Sequence, residues 1–74
     1  MRVTVKLYAN LREGHAAEES MELQPGTSVS GIINTLKILE STVTLIFING
    51  RHAAPDTLLN DGDIVALFPP IGGG

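Results

Sequence analysis

The chain has 74 residues, 43% of them hydrophobic and 18% charged, which suits one packed domain and is too apolar for a disordered chain. A domain of this size buries only roughly 60% of the surface its unfolded chain exposes, so few apolar positions can be spared from the core. A net charge of −3 with five scattered basic residues gives nucleic acid no footprint, and the lack of cysteine excludes disulfides, thiolate zinc sites and thiol nucleophiles.

Arg2 to Tyr8 alternates polar and apolar, placing Val3, Val5 and Leu7 on one face of a strand, with Tyr8 pointing the other way. Asn10 to Ala17 has no clean period and reads as a loop. Ser20 to Leu23 alternates again, with Met21 and Leu23 inward, until Gln24-Pro25-Gly26 ends the strand. Val29, Ile32, Ile33 and Leu36 are spaced as the apolar stripe of a short helix, with Ser28 as its N-cap. Gly31 lies inside that helix at a cost of about 1 kcal/mol relative to alanine, so Gly31→Ala is expected to stabilise the fold.

Thr42 to Ile48 is a strand apolar on both faces, Val43, Leu45 and Phe47 on one and Ile46 and Ile48 on the other. Asn49-Gly50 is a strong two-residue hairpin signal, so Arg51-His52-Ala53 should return as a short strand. A turn at Asn60 to Asp63 leads into the last strand, Ile64 to Phe68, and Pro69-Pro70 then leaves the ladder. One helix with a single apolar stripe needs one sheet face to cover it, and the last strand is best shielded at the sheet centre. The expected fold is therefore α+β, a ubiquitin-like β-grasp with a mixed sheet packed on one main helix. Residues 1–70 would form the domain and 71–74 a flexible glycine tail. No apolar run is long enough to span a bilayer, and the alternating N-terminus does not look like a signal peptide. A cytoplasmic protein, monomeric when free and bound to neither membrane nor nucleic acid, is expected.

Candidate chemistry is sparse. Asp61 and Asp63 flank a turn glycine and read as turn residues, while Glu18, Glu19 and Glu22 read as a solvated face. His15 and His52 lack metal-ligand spacing, and no metal site is expected. What remains is Gly72-Gly73-Gly74. It reads either as a frayed terminus or as a slender arm able to thread a channel too narrow for side chains, with a carboxylate at its far end. Such a carboxylate becomes an electrophile only when its oxygen is made a good leaving group, for example by adenylation.

Leu58 to Gly74, reading LLNDGDIVALFPPIGGG, resembles the C-terminal signature of the MoaD-like small subunit of molybdopterin synthase, with the thiamine sulfur carrier ThiS a near relative. Tyr8 to Glu13 also looks like the MoaD-type segment after the first strand, and the similarity covers essentially the whole chain. The resemblance implies that an adenylating, ubiquitin-activating-type enzyme uses MgATP on Gly74. A persulfide sulfur then displaces AMP, and the resulting thiocarboxylate enters a sulfur-accepting synthase, either a molybdopterin synthase large subunit or a thiazole synthase. The chain itself would bind no cofactor and act as carrier or co-substrate rather than enzyme. Gly72 and Gly73 would be the slim neighbours of Gly74. Phe68, with Ile46 on the adjacent strand, would form the exposed docking patch, and Pro69, Pro70 and Ile71 would face the partner at the exit. Two features depart from the MoaD pattern: Gly72 replaces the usual alanine, and Lys37 to Ser41 is short, as in ThiS. The rival readings are a ubiquitin-like modifier joined to lysines through Gly74, and an interaction module whose tail is incidental.

Overall fold

The computed structural model describes residues 1–70; the tail assigned to Ile71, Gly72, Gly73 and Gly74 lies outside the described residues. Five strands occur in them: β1 (Arg2–Leu7), β2 (Glu18–Glu22), β3 (Leu45–Ile48), β4 (Arg51–His52) and β5 (Ile64–Phe68). One α-helix, α1 (Val29–Thr35), packs on a single sheet of order β2-β1-β5-β3-β4. β5 pairs in parallel with β1, Val5 opposite Val65, and antiparallel with β3, Ile46 opposite Leu67. The last strand therefore occupies the centre of a mixed sheet, and the β-grasp architecture expected from the element order is the one observed.

The alternation in β1 and β5 turns Val3, Val5, Leu7, Val65 and Leu67 towards the helix, where Val29, Ile32 and Ile33 meet them fully buried. Ile46, Met21, Leu11 and Leu59 complete that core. Ser28 has the extended backbone of an N-cap, but its hydroxyl caps nothing. The orphan N–H groups of Val29 and Ser30 instead donate to the carbonyls of Thr57 and Pro55, which fastens the loop before β5 onto the helix start. At the other end Ile38 N–H reaches Ile33 C=O and Lys37 N–H reaches Asn34 C=O, the paired bonds of a Schellman closure. Its left-handed residue is Lys37, with φ of 59°, where glycine would be the unstrained choice.

Several boundaries move. Asn10 onward is not a plain loop, because Ala9–Arg12 forms a 3-10 turn that buries Leu11. β3 starts at Leu45, since Glu40–Thr42 is also a 3-10 turn, and β2 starts at Glu18. The hairpin is as expected: Asn49 and Gly50 have φ of 53° and 81°, the double positive φ of a type I′ turn, and Ile48 pairs with Arg51 across it. Packing opposes the stabilisation expected of Gly31→Ala. Its backbone is helical, but a Cβ there would lie 2.6 Å from Thr27 Cγ2. Among the described residues no helix is long and apolar enough to cross a membrane.

Candidate functional site

The face of the sheet away from α1 has no layer over it among the described residues. Residues alternating with the buried set occupy it: Thr4 and Lys6 on β1, Leu45 and Phe47 on β3, Ile64, Ala66 and Phe68 on β5. Its two ends differ. At the N-terminal end of β5 it is small or polar, with only Ile64 apolar, whereas at the C-terminal end four rings meet.

Phe68 is the hub of that cluster. Tyr8 stacks on it almost flat, centroids 4.3 Å apart and planes 8° from parallel, while Phe47 meets it edge-on at 5.8 Å. His52, opposite Phe47 on β4, extends the group with an edge contact at 5.7 Å. Both the offset-stacked and the T-shaped arrangement suit aromatic quadrupoles. Tyr8 reaches this position because its backbone is extended at the end of β1, after which Ala9 turns sharply with φ of 53° into the 3-10 turn. Its N–H donates to Leu67 C=O at 3.2 Å, and Thr44 N–H donates to Phe68 C=O at 2.8 Å. The point from which the chain leaves the sheet is thus held on both sides by backbone bonds and above by two rings.

The docking pair read from the sequence needs correcting. Phe68 lies on the open face, half-buried by its ring neighbours, but Ile46 is 3% exposed and belongs to the core. The register explains this: Ile46 opposes Leu67, so the two share the helix-facing side, and Phe68's own cross-strand neighbour is Leu45. Pro69 is buried as well, while Pro70 is exposed. Ile71, Gly72, Gly73 and Gly74 lie outside the described residues. Tyr8 and Phe47 are the members that sequence reasoning missed as site residues. The signal for Tyr8 was present, an outward aromatic at the end of a strand bonded to β5.

The turn carboxylates are structural, as read. Asp61 Oδ1 accepts from Arg2 N–H at 2.7 Å, and the buried Asp63 accepts from Asn60 N–H and Asn49 Nδ2. A groove of about 620 Å³ bordered by Arg51, Leu58 and Asp63 lies by this turn, at the other end of β5 from Phe68. Among the described residues no three His, Asp or Glu side chains gather as a metal site would require. Nothing described forms a catalytic constellation. What the surface offers is a firm aromatic platform at the root of the C-terminal segment.

The model of the ThiS family matches residues 5–74, from β1 through the terminal glycines. The chain belongs to the ThiS family. This ThiS-family chain is similar in structure to a Pyrococcus furiosus protein described as molybdopterin converting factor, subunit 1. The two are 33% identical with a TM-score of 0.76, over 96% of this chain and 99% of the other. It is also similar to small archaeal modifier protein 1 of Methanosarcina acetivorans, at 29% identity and a TM-score of 0.74, over 99% and 96% of the chains. A third likeness, at 23% identity and a TM-score of 0.68 with full coverage of both chains, is to a protein-protein complex of subunits 1 and 2 of molybdopterin-converting factor from Helicobacter pylori, and it concerns the fold. No match was found among curated proteins. The ThiS family is one of small ubiquitin-fold sulfur carriers that are not catalytic in themselves.

Proposed function

We propose that this protein carries sulfur as a thiocarboxylate on Gly74. In this scheme the Gly74 carboxylate attacks the α-phosphorus of MgATP held by an activating enzyme, releasing pyrophosphate. The terminal sulfur of a persulfide then attacks the acyl carbon and expels AMP, and a thiol reduces the acyl disulfide to the thiocarboxylate. The tail enters a synthase and gives up its sulfur. One observation carries the reading: a packed cluster of Tyr8, Phe47 and Phe68 on the open sheet face, beside the point where the chain leaves β5. A partner seated there would hold the root of the tail at a fixed place, and a glycine run would need the least width beyond it. Phe68, Tyr8 and Pro70 are the contact residues of this proposal, with Ile71 to Gly73 leading to Gly74. The likeness to a subunit 1 that is found in complex with a subunit 2 supports a synthase as one partner.

The test is a mass measurement. Incubated with a cognate activating enzyme, MgATP and a persulfide donor, the intact chain should exchange one oxygen for one sulfur, and fragmentation should place the change on Gly74. Deleting Gly74 shortens the reach by about 3.3–3.6 Å. Since reacting atoms tolerate misplacement of only about 1 Å, that deletion should largely abolish transfer. An unmodified chain with every such enzyme, or a deletion that transfers normally, would refute the scheme. A second reading, conjugation to lysines through the same acyl adenylate, is favoured by the likeness to a small archaeal modifier protein. Its signature in the same experiment is an isopeptide-linked glycine remnant on a target lysine.

A further inference from the structure

The Asn49-Gly50 turn does more than reverse the chain. Asn49 is exposed, and nothing lies within 4 Å of where a Cβ on Gly50 would be, so water and a moving side chain both have room. An asparagine followed by glycine carries its own reaction. The backbone nitrogen of Gly50 attacks Asn49 Cγ, the Cγ–Nδ2 bond breaks, and Nδ2 departs as ammonia with the proton from the Gly50 amide. The five-membered imide then takes up water and opens to aspartate or isoaspartate.

In the folded chain both ends of the Asn49 amide are occupied. Its Nδ2 donates to Asp63 Oδ1 at 3.0 Å and its Oδ1 accepts from Ile64 N–H at 3.0 Å. The backbone is held too, with Asn49 N–H donating to Ile64 C=O at 2.8 Å. Asp63 is itself buried and fixed through Oδ2 by Asn60 N–H at 2.8 Å. Both side-chain bonds hold the amide against Asp63 and Ile64 and so oppose rotation of Cγ towards the Gly50 nitrogen.

We propose that Asn49 is a latent self-modification site, kept unreactive by Asp63 and the Ile64 amide, whose conversion unlatches the β3–β4 hairpin from β5. The guard and the consequence have one origin. The amide nitrogen that Asp63 receives becomes, in the product, a carboxylate oxygen facing a carboxylate. An attraction at 3.0 Å turns into a repulsion beside a buried charge. The isoaspartate product also inserts a methylene into the backbone of a two-residue turn whose φ values are already specialised. A chain that opens long enough to react thereafter closes poorly, so the modification would record past unfolding.

The experiment follows the full-length chain by peptide mapping in mildly alkaline buffer, folded and in unfolding urea. Two bonds of ordinary strength should slow the folded reaction by roughly tenfold to a hundredfold relative to urea. Asp63→Ala should recover much of that rate under conditions where it remains folded. Equal rates in buffer and urea would overturn the guard. The consequence is read separately with Asn49→Asp, which reproduces the product charge without waiting for it. Amide exchange at Asn49 and Ile64 should accelerate by at least about tenfold while Val5 and Leu67 stay protected. Unchanged exchange at both positions would overturn the unlatching.

Discussion

Gly31→Ala tests whether packing overrides helix propensity at one defined contact. Propensity alone favours the substitution by about 0.8–1 kcal/mol. The added methyl, however, would stand 2.6 Å from Thr27 Cγ2, well inside contact distance. Thr27 is not free to yield. Its Oγ1 donates to Gln24 C=O at 2.7 Å and its carbonyl accepts from Leu59 N–H at 3.0 Å. Two of the three staggered positions on its Cβ carry heavy atoms, so only the rotamer that turns the Cβ hydrogen towards residue 31 clears the methyl. That rotamer gives up the bond to Gln24, worth about 0.5–1.5 kcal/mol, and a side chain held off its rotamer instead costs a similar amount. With residual backbone movement added, Gly31→Ala should be neutral to destabilising by about 1 kcal/mol. Thr27→Ser keeps the hydroxyl and removes Cγ2, so in that background the same substitution should stabilise by close to the propensity value. Urea melts followed by far-ultraviolet circular dichroism give all four corners of the cycle. The coupling should be about 1–2 kcal/mol, and a full stabilisation in the wild-type background, with no coupling, would refute the contact argument.

Lys37→Gly relieves the left-handed position that closes α1 and should raise stability by about 0.5–1 kcal/mol in the same melts; a loss would mean that the Lys37 stem packs usefully. Phe68→Glu removes the Tyr8 stack and the Phe47 edge contact, which should cost about 1–3 kcal/mol while the core on the opposite face keeps the domain folded. Its binding to the activating enzyme, measured by calorimetry, should weaken by at least about tenfold, and unchanged binding would remove the aromatic cluster as the docking platform.

How much of this was legible depended on how local each signal was. The Asn49-Gly50 turn, the Val29/Ile32/Ile33 stripe and the alternation of β1 are written into consecutive residues, and the structure keeps them. The two faces of β3 were separated correctly, yet which one met the helix could not be read from β3 itself. Ile46 was turned outward because nothing within residues 42–48 records that it will lie opposite Leu67. The left-handed Ala9 and Lys37 are not legible because neither is a residue type that advertises positive φ: Lys37 sits among the helix-closing bonds to Ile33 and Asn34, and Ala9 follows Tyr8, whose N–H is bonded across the sheet to Leu67. Of the candidate site, Phe68 was visible as an aromatic at the end of the last strand. Its partners Tyr8 and Phe47 come from distant parts of the chain, joined only once β5 lies between β1 and β3.

That central position of β5 also bears on mechanical load. A partner that draws in the C-terminal segment pulls along the axis of the middle strand, which is bonded to β1 on one side and β3 on the other. Strain of that kind is shared by both ladders at once, as in a lap joint, instead of peeling bonds away singly as it would from an edge. The Thr44 and Tyr8 bonds to the Phe68 and Leu67 carbonyls sit at the loaded end and are the first to feel the pull. The domain can therefore act as an anchor, bearing tension on its last strand while the core between sheet and helix stays closed.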